Sequence, residues 1–248
     1  MVTRARFIVL EGLDGSGTTT QAAELARAVA RAHIPVELTK EPTDGPFGAI
    51  IRQVLSGRMF LSPEALALAY AADRRDHLST ASFRLVDPSN GEELASDDAI
   101  PLQGRGIIPW LEAGHWVISD RYVVSSLAYQ YAQRAERSHL EWLKQINHGV
   151  APPDATIYVN TPSEVCWERL RSRSIHFELF DSPGRLRDVQ ERYDVAIRHA
   201  REMGLLGHFV AVAGDRPADD VTAEIVRFLG SVFPEFSAAD APSSSENS

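Results

Sequence analysis

One short segment near the start of the chain limits its fold more than anything else in it. An apolar run, Phe7 to Leu10, leads into Gly12-Leu-Asp-Gly-Ser-Gly17-Thr18-Thr19, and a stretch over about 19–31 follows in which Ala22, Leu25, Ala26 and Val29 recur at helical spacing. A strand that enters a helix through glycines leaves several backbone N–H groups free at the positive end of the helix, which is a cradle for phosphate oxygens. The spacing is that of a Walker A loop. It is not the dinucleotide fingerprint, because glycines 12, 15 and 17 do not fall as G-x-G-x-x-G. A plain glycine-rich turn is the alternative, and the flanking strand and helix speak against it.

The rest of the chain keeps the same rhythm. Short β-like runs at 36–39, 116–119, 155–160 and 209–213 alternate with helical patterns near 47–56, 63–78, 123–135, 139–147, 163–173, 185–203 and 217–232. That alternation predicts an α/β fold, a five-stranded parallel sheet with helices on both faces. Residues 1–233 form one domain in this reading. Two segments interrupt it: an insertion at about 82–106, with PSNG and an acidic SDDA, and a lid at about 171–184. From 234 to 248 the chain is small and polar without periodicity, which predicts disorder.

At 248 residues and 44% hydrophobic composition the chain has enough apolar side chains for a real core, and a net charge of −9 argues against a nucleic-acid partner. The single cysteine, Cys166, has no internal disulfide partner, the first residues lack an apolar secretory core, and no apolar run approaches the roughly 18 residues that cross a bilayer. The expectation is a cytoplasmic protein with no membrane contact. Eight histidines occur without an HExxH pair, so zinc is not expected.

One position breaks the phosphate-loop pattern. Thr18 stands where the motif has lysine, although Thr19 keeps the hydroxyl expected on Mg²⁺. Loss of one such stabiliser typically costs about 10²- to 10³-fold in rate. Of 25 basic residues only Lys40 and Lys144 are lysine, so the sequence points to arginine for compensation. Arg169 and Arg173 lie four apart on one helix face, while Arg171 points away. Three solvated arginines are the alternative.

Five segments, in order, resemble the thymidylate kinase family of P-loop nucleoside monophosphate kinases: LEGLDGSGTTTQ, TKEPTDGPFGAIIR, YAADRRDH, VISDRYVVSSLAYQ and PPDATIYVNTP. The second has Lys40 and Thr43 in place of the more usual arginine and glycine. The resemblance implies transfer of a phosphoryl group from Mg²⁺-ATP to dTMP in a homodimeric enzyme. It places ATP on Gly12, Leu13, Asp14, Gly15, Ser16, Gly17, Thr18, Thr19 and Thr20. It places dTMP on Asp14, Glu41, Pro42, Arg52, Tyr70, Arg74, Arg121, Ser126, Tyr129 and Gln130. Tyr70 stacks on the base, Arg74 bonds its edge, and Tyr129 lies where a 2′-hydroxyl would be. Thr19 and Asp120 serve the metal, and Asp14, Arg121, Arg169 and Arg173 are the catalytic set. Residue chemistry agrees for Tyr70 and Arg74, which share a helix face and offer an aromatic plane and a hydrogen-bond donor. Two other readings stay open: a nucleotide-binding protein that has lost turnover, prompted by Thr18, and a kinase for another deoxynucleoside monophosphate.

Overall fold

A computed structural model describes residues 4–79, 106–133, 136–173 and 182–237. Its parallel sheet has the order β2-β3-β1-β4-β5, formed by β1 (Phe7–Gly12), β2 (Val36–Lys40), β3 (Trp116–Asp120), β4 (Ala155–Asn160) and β5 (His208–Ala213). The central strand shows why the chain folds this way. Alternate residues of FIVL serve opposite faces, so Ile8 and Leu10 pack under α1 (Thr18–Arg31) and α9 (Ala218–Val232). Phe7 and Val9 face the other layer, built from α2 (Pro46–Leu55), α3 (Pro63–Leu78), α4 (Ile107–Glu112), α5 (Val123–Gln133), α6 (Arg137–Ile146), α7 (Ser163–Arg173) and α8 (Pro183–Glu202). A strand buried on both faces needs no polar alternation, which is why it reads as a continuous apolar run.

The five strands and eight of the helices lie within about two residues of the expected spans. Two departures are informative. The helix α4 is not expected from sequence, because six residues containing Pro109 carry too little periodicity; its Ile107 is buried against the core all the same. The tail does not begin at 234: Pro234–Ser237 forms a helical turn, α10, whose Phe236 packs on Trp116 and whose Glu235 bonds Arg6. Buried aromatic surface holds this turn where local composition alone suggests none. Residues 238–248 and most of the expected insertion, 80–105, lie outside the described residues. Of the expected lid, 171–173 belong to α7 and 183–184 to α8, and the segment between them, 174–181, also lies outside. No helix among the described residues is long and apolar enough to cross a membrane.

Candidate active site

Strand C-terminal ends gather the chemistry, as open α/β sheets require. Between β1 and α1 the loop turns through Gly15 at φ 81° and Gly17 at φ 102°, left-handed conformations that favour glycine. Gly17 caps α1 without a side-chain hydrogen bond, and the first turn carries no acid, so the first N–H groups stay available to an anion. Thr18 is buried, and its methyl would lie 3.1 Å from a Cβ built on Gly12. Its side chain therefore packs the inside of the loop.

Thr19 donates its hydroxyl to Asp120 Oδ2 at 2.5 Å, while the buried Asp120 Oδ1 makes no hydrogen bond. Two adjacent oxygen donors with one carboxylate oxygen to spare suit a hard cation such as Mg²⁺. Among the described residues no group of three or more His, Cys, Asp or Glu could hold a metal, so phosphate and water would complete its shell, as Mg²⁺ prefers.

Beside the loop opens a cleft of about 570 Å³, mouth included, lined by Asp14, Glu41, Pro42, Leu55, Tyr70, Arg121, Tyr122, Ser125, Ser126, Tyr129 and Gln130. Eight of these are expected from sequence; Leu55, Tyr122 and Ser125 are not. Arg121 follows β3 in the left-handed region at φ 79°. It donates from Nη2 to Asp14 Oδ1 at 2.8 Å and from Nη1 to the Tyr193 hydroxyl at 3.0 Å. The Asp14 N–H donates to the Tyr129 hydroxyl at 2.8 Å, so phosphate loop and cleft wall are tied together. Gln130 is buried, and its Oε1 has no hydrogen-bond partner.

Two residues expected at the cleft sit outside it, and Arg169, expected on the donor side, lines the cavity across the phosphate loop. Arg74 does not line the cleft: it is 1% exposed, and its donors go to Glu41 Oε2, the Asn147 side chain, the Tyr122 carbonyl and, at 2.8 Å, the Ser126 hydroxyl. It lies under the wall and holds three lining residues, Glu41, Tyr122 and Ser126, in place. Arg52 spends its guanidinium on the Thr43 carbonyl and lies 3.5 Å from Asp44, also outside the lining. Arg169 reaches the phosphate loop from behind, donating to the carbonyls of Gly15, Ser16 and Gly214. The Arg173 side chain lies outside what the structure describes.

A family model for thymidylate kinase matches residues 10–207. The probable thymidylate kinase of Thermococcus kodakarensis is 41% identical over 196 residues, covering 75% of this chain and 82% of that one. The putative thymidylate kinase of Treponema pallidum is 32% identical over 197 residues, covering 79% and 81%. The chain belongs to the thymidylate kinase family. The solved structure of the Candida albicans thymidylate kinase matches the fold with a TM-score of 0.69 at 22% identity, over 94% of each chain.

In this thymidylate kinase family member, a second cavity of about 500 Å³ lies on the other side of the phosphate loop, between Ser16, Gly17, Thr20 and Gln21 and the segment after β5 with Gly214 and Arg216. The turn after β5 is not singled out from sequence. Its signal is a strand end followed by Gly-Asp-Arg-Pro, placed where ligands bind in such sheets.

Glu11 is also missed by sequence reading. Its buried carboxylate receives the N–H groups of Val124 and Ser125, both at 3.0 Å, and the Ser125 hydroxyl, capping α5 from β1. Burial pushes its carboxyl up from the usual 4.5 to about 7, with Glu41 adding to the rise, against the opposing pull of Ser125, Arg121 and Arg74. The folded state thus keeps a proton that the unfolded state releases above 4.5, so this stabilising contribution is full below that pH and is lost as pH rises through 7. Wild type should lose roughly 3 kcal/mol relative to Glu11→Gln over that window. Thermal melts of both proteins from about pH 4.5 to 8 test this linkage, and parallel curves would refute it.

Proposed function

We propose that this kinase moves the γ-phosphoryl group of Mg²⁺-bound ATP onto the 5′-phosphate of dTMP, giving dTDP and ADP. The observation that carries this is Arg121, which is tied to the phosphate loop through Asp14 and lines the base-sized cleft beside the Tyr129 ring. In this reading the loop N–H groups hold the donor phosphates and the cavity beside Arg216 takes the donor base. Arg121 neutralises the acceptor phosphate, Tyr70 stacks on thymine, and the Gln130 carbonyl accepts its ring N–H. Arg74 acts through Glu41 and Ser126. Thr19 and Asp120 would hold the Mg²⁺, whose charge neutralises the donor phosphates. The acceptor phosphate, with a second pKa near 6, is largely ionised at neutral pH, so no strong general base is required. Catalysis is then positioning and charge neutralisation. The helices α2 and α3 pack on each other and leave Phe47, Ile50 and Leu68 exposed, which supports a homodimer as part of the same proposal.

A coupled ADP-release assay across dTMP, dUMP, dCMP, dGMP, AMP and the ribose analogue of dTMP tests the reading. The Tyr129 ring is fixed by the Asp14 N–H bond, so dTMP should exceed its ribose analogue by about 10²-fold, and Tyr129→Ala should narrow the gap. Equal rates for the two nucleotides in wild type would sink this role for Tyr129.

A further inference from the structure

The phosphate loop lacks its lysine, and three arginines around it whose side chains are described are already engaged. Arg169 is bonded to three backbone carbonyls, Arg121 to Asp14 and Tyr193, and Arg216 to Glu224 and the Ala213 carbonyl. Another cation stands on the opposite flank of the loop. The parallel register of β2 and β3 sets Leu38 beside Ile118 and Lys40 beside Asp120. Residues paired this way share a sheet face, and Ile118 belongs to the face packed by α1. Lys40 therefore lies on the same side as Asp120 and Thr19. All three line one cavity of about 640 Å³, mouth included, and Lys40 is the single cation among the described residues of that lining.

We propose that Lys40 supplies the ammonium that Thr18 lacks, reaching the terminal phosphoryl of the donor from the end of β2. This rests on the kinase reading above. In the transfer, an acceptor phosphate oxygen bonds to the γ-phosphorus as the bond from that phosphorus to the β,γ-bridging oxygen breaks. The electron pair leaves on the β-phosphate of ADP. Lys40 stays protonated throughout and offsets charge on the γ-phosphoryl oxygens. Its present partner does not hold it back. Nζ lies 3.3 Å from Asp44 Oδ1, with the two side chains 57% and 79% exposed, and exposed pairs of this kind are weak. An ammonium on a four-carbon stem suits this role, because it can leave one exposed oxygen for another.

The test compares Lys40→Met, Lys40→Arg and, as a control, Lys144→Met, the other lysine, which sits on α6 beside Glu141 and Glu202. Lys40→Met should lower kcat by about 10²-fold and weaken binding of the non-hydrolysable analogue AMP-PNP about tenfold more than that of ADP. Binding of dTMP and the melting temperature should stay near wild type. Lys40→Arg should keep most of the activity, and Lys144→Met all of it. Adding Thr18→Lys to Lys40→Met should recover at least tenfold in kcat, since the two ammonium groups serve the same oxygens. Unchanged kcat in Lys40→Met, equal weakening of AMP-PNP and ADP, or no recovery with Thr18→Lys would each overturn the proposal. Failure of the kinase reading shows separately, as absence of dTMP-dependent ADP release by wild type.

Discussion

Replacing Arg121 with alanine is expected to lower kcat/KM for dTMP by roughly 10³-fold or more, the largest effect of any single change in this protein. Burial works against the charge of this guanidinium, and the oxygens of Tyr129, Tyr193, Asp14 and Asp120 hold its pKa above the ordinary value, so it stays cationic throughout the working range. Removing it takes away the cation proposed for the acceptor phosphate. It also leaves Asp14 without its 2.8 Å partner and takes one of the partners of the Tyr193 hydroxyl, which donates to the Gly12 carbonyl at the base of the loop. Both substrates should therefore feel the loss, dTMP the more. Arg121→Lys separates charge from shape. It keeps the cation but cannot hold Asp14 and Tyr193 with one planar fork, and about 10²-fold should still be lost. Binding constants for dTMP and for AMP-PNP, measured apart from turnover, check the assignment. An Arg121→Ala enzyme with wild-type dTMP affinity would exclude the phosphate contact.

Arg74→Met is expected to act first on stability. The change strips a 1% exposed guanidinium from Glu41, a carboxylate buried nearly as deeply, and leaves that charge without its cation. Breaking a buried pair from one side typically costs about 3–5 kcal/mol. For a chain of this size that is a fall in Tm of about 10 °C. His77 lies 3.1 Å from the other Glu41 oxygen and is bonded through its second nitrogen to Thr39, so it stays in place beside the orphaned carboxylate. Removing both charges with Arg74→Met and Glu41→Gln should recover part of the Tm, because the unpaired carboxylate is then gone. A variant that melts like wild type while its KM for dTMP rises about 100-fold would show instead that Arg74 touches the base.

The two arginines also show how far the sequence can be read. Arg121 is legible because it directly follows an apolar strand, and strand ends are where such sheets bind ligands. Arg74 carries a motif but no sign of depth. Its spacing from Tyr70 puts both on one helix face, yet the partners that claim it, Asn147 and the Tyr122 carbonyl, are distant in sequence. Arg169, which lines the cavity beside Arg216, is legible only as a position. Helical spacing shows that it shares a face with Arg173, but not that three carbonyls behind the phosphate loop await it. Glu11 sits unremarked inside an apolar strand, and Tyr193 reads as one more core position in a stripe with Leu186, Val189, Ala196 and Ala200. Periodicity reports which side of an element is buried. It does not report what the polar tip of a buried side chain meets.

Phe236 carries a practical consequence. With Phe233 it packs on Trp116 at the start of β3, while Arg6, just ahead of β1, grips Glu235 and Asp154. Both ends of the described chain are thus moored at the pole of the sheet where the strands begin, and the cavities lined by Tyr70 and by Arg216 open at the pole where they finish. A tether, affinity handle or fused partner joined before Arg4 or after Ser237 would depart from the blind side of the molecule. Anchored to a bead or sensor surface by either end, the enzyme presents its working face to the solution.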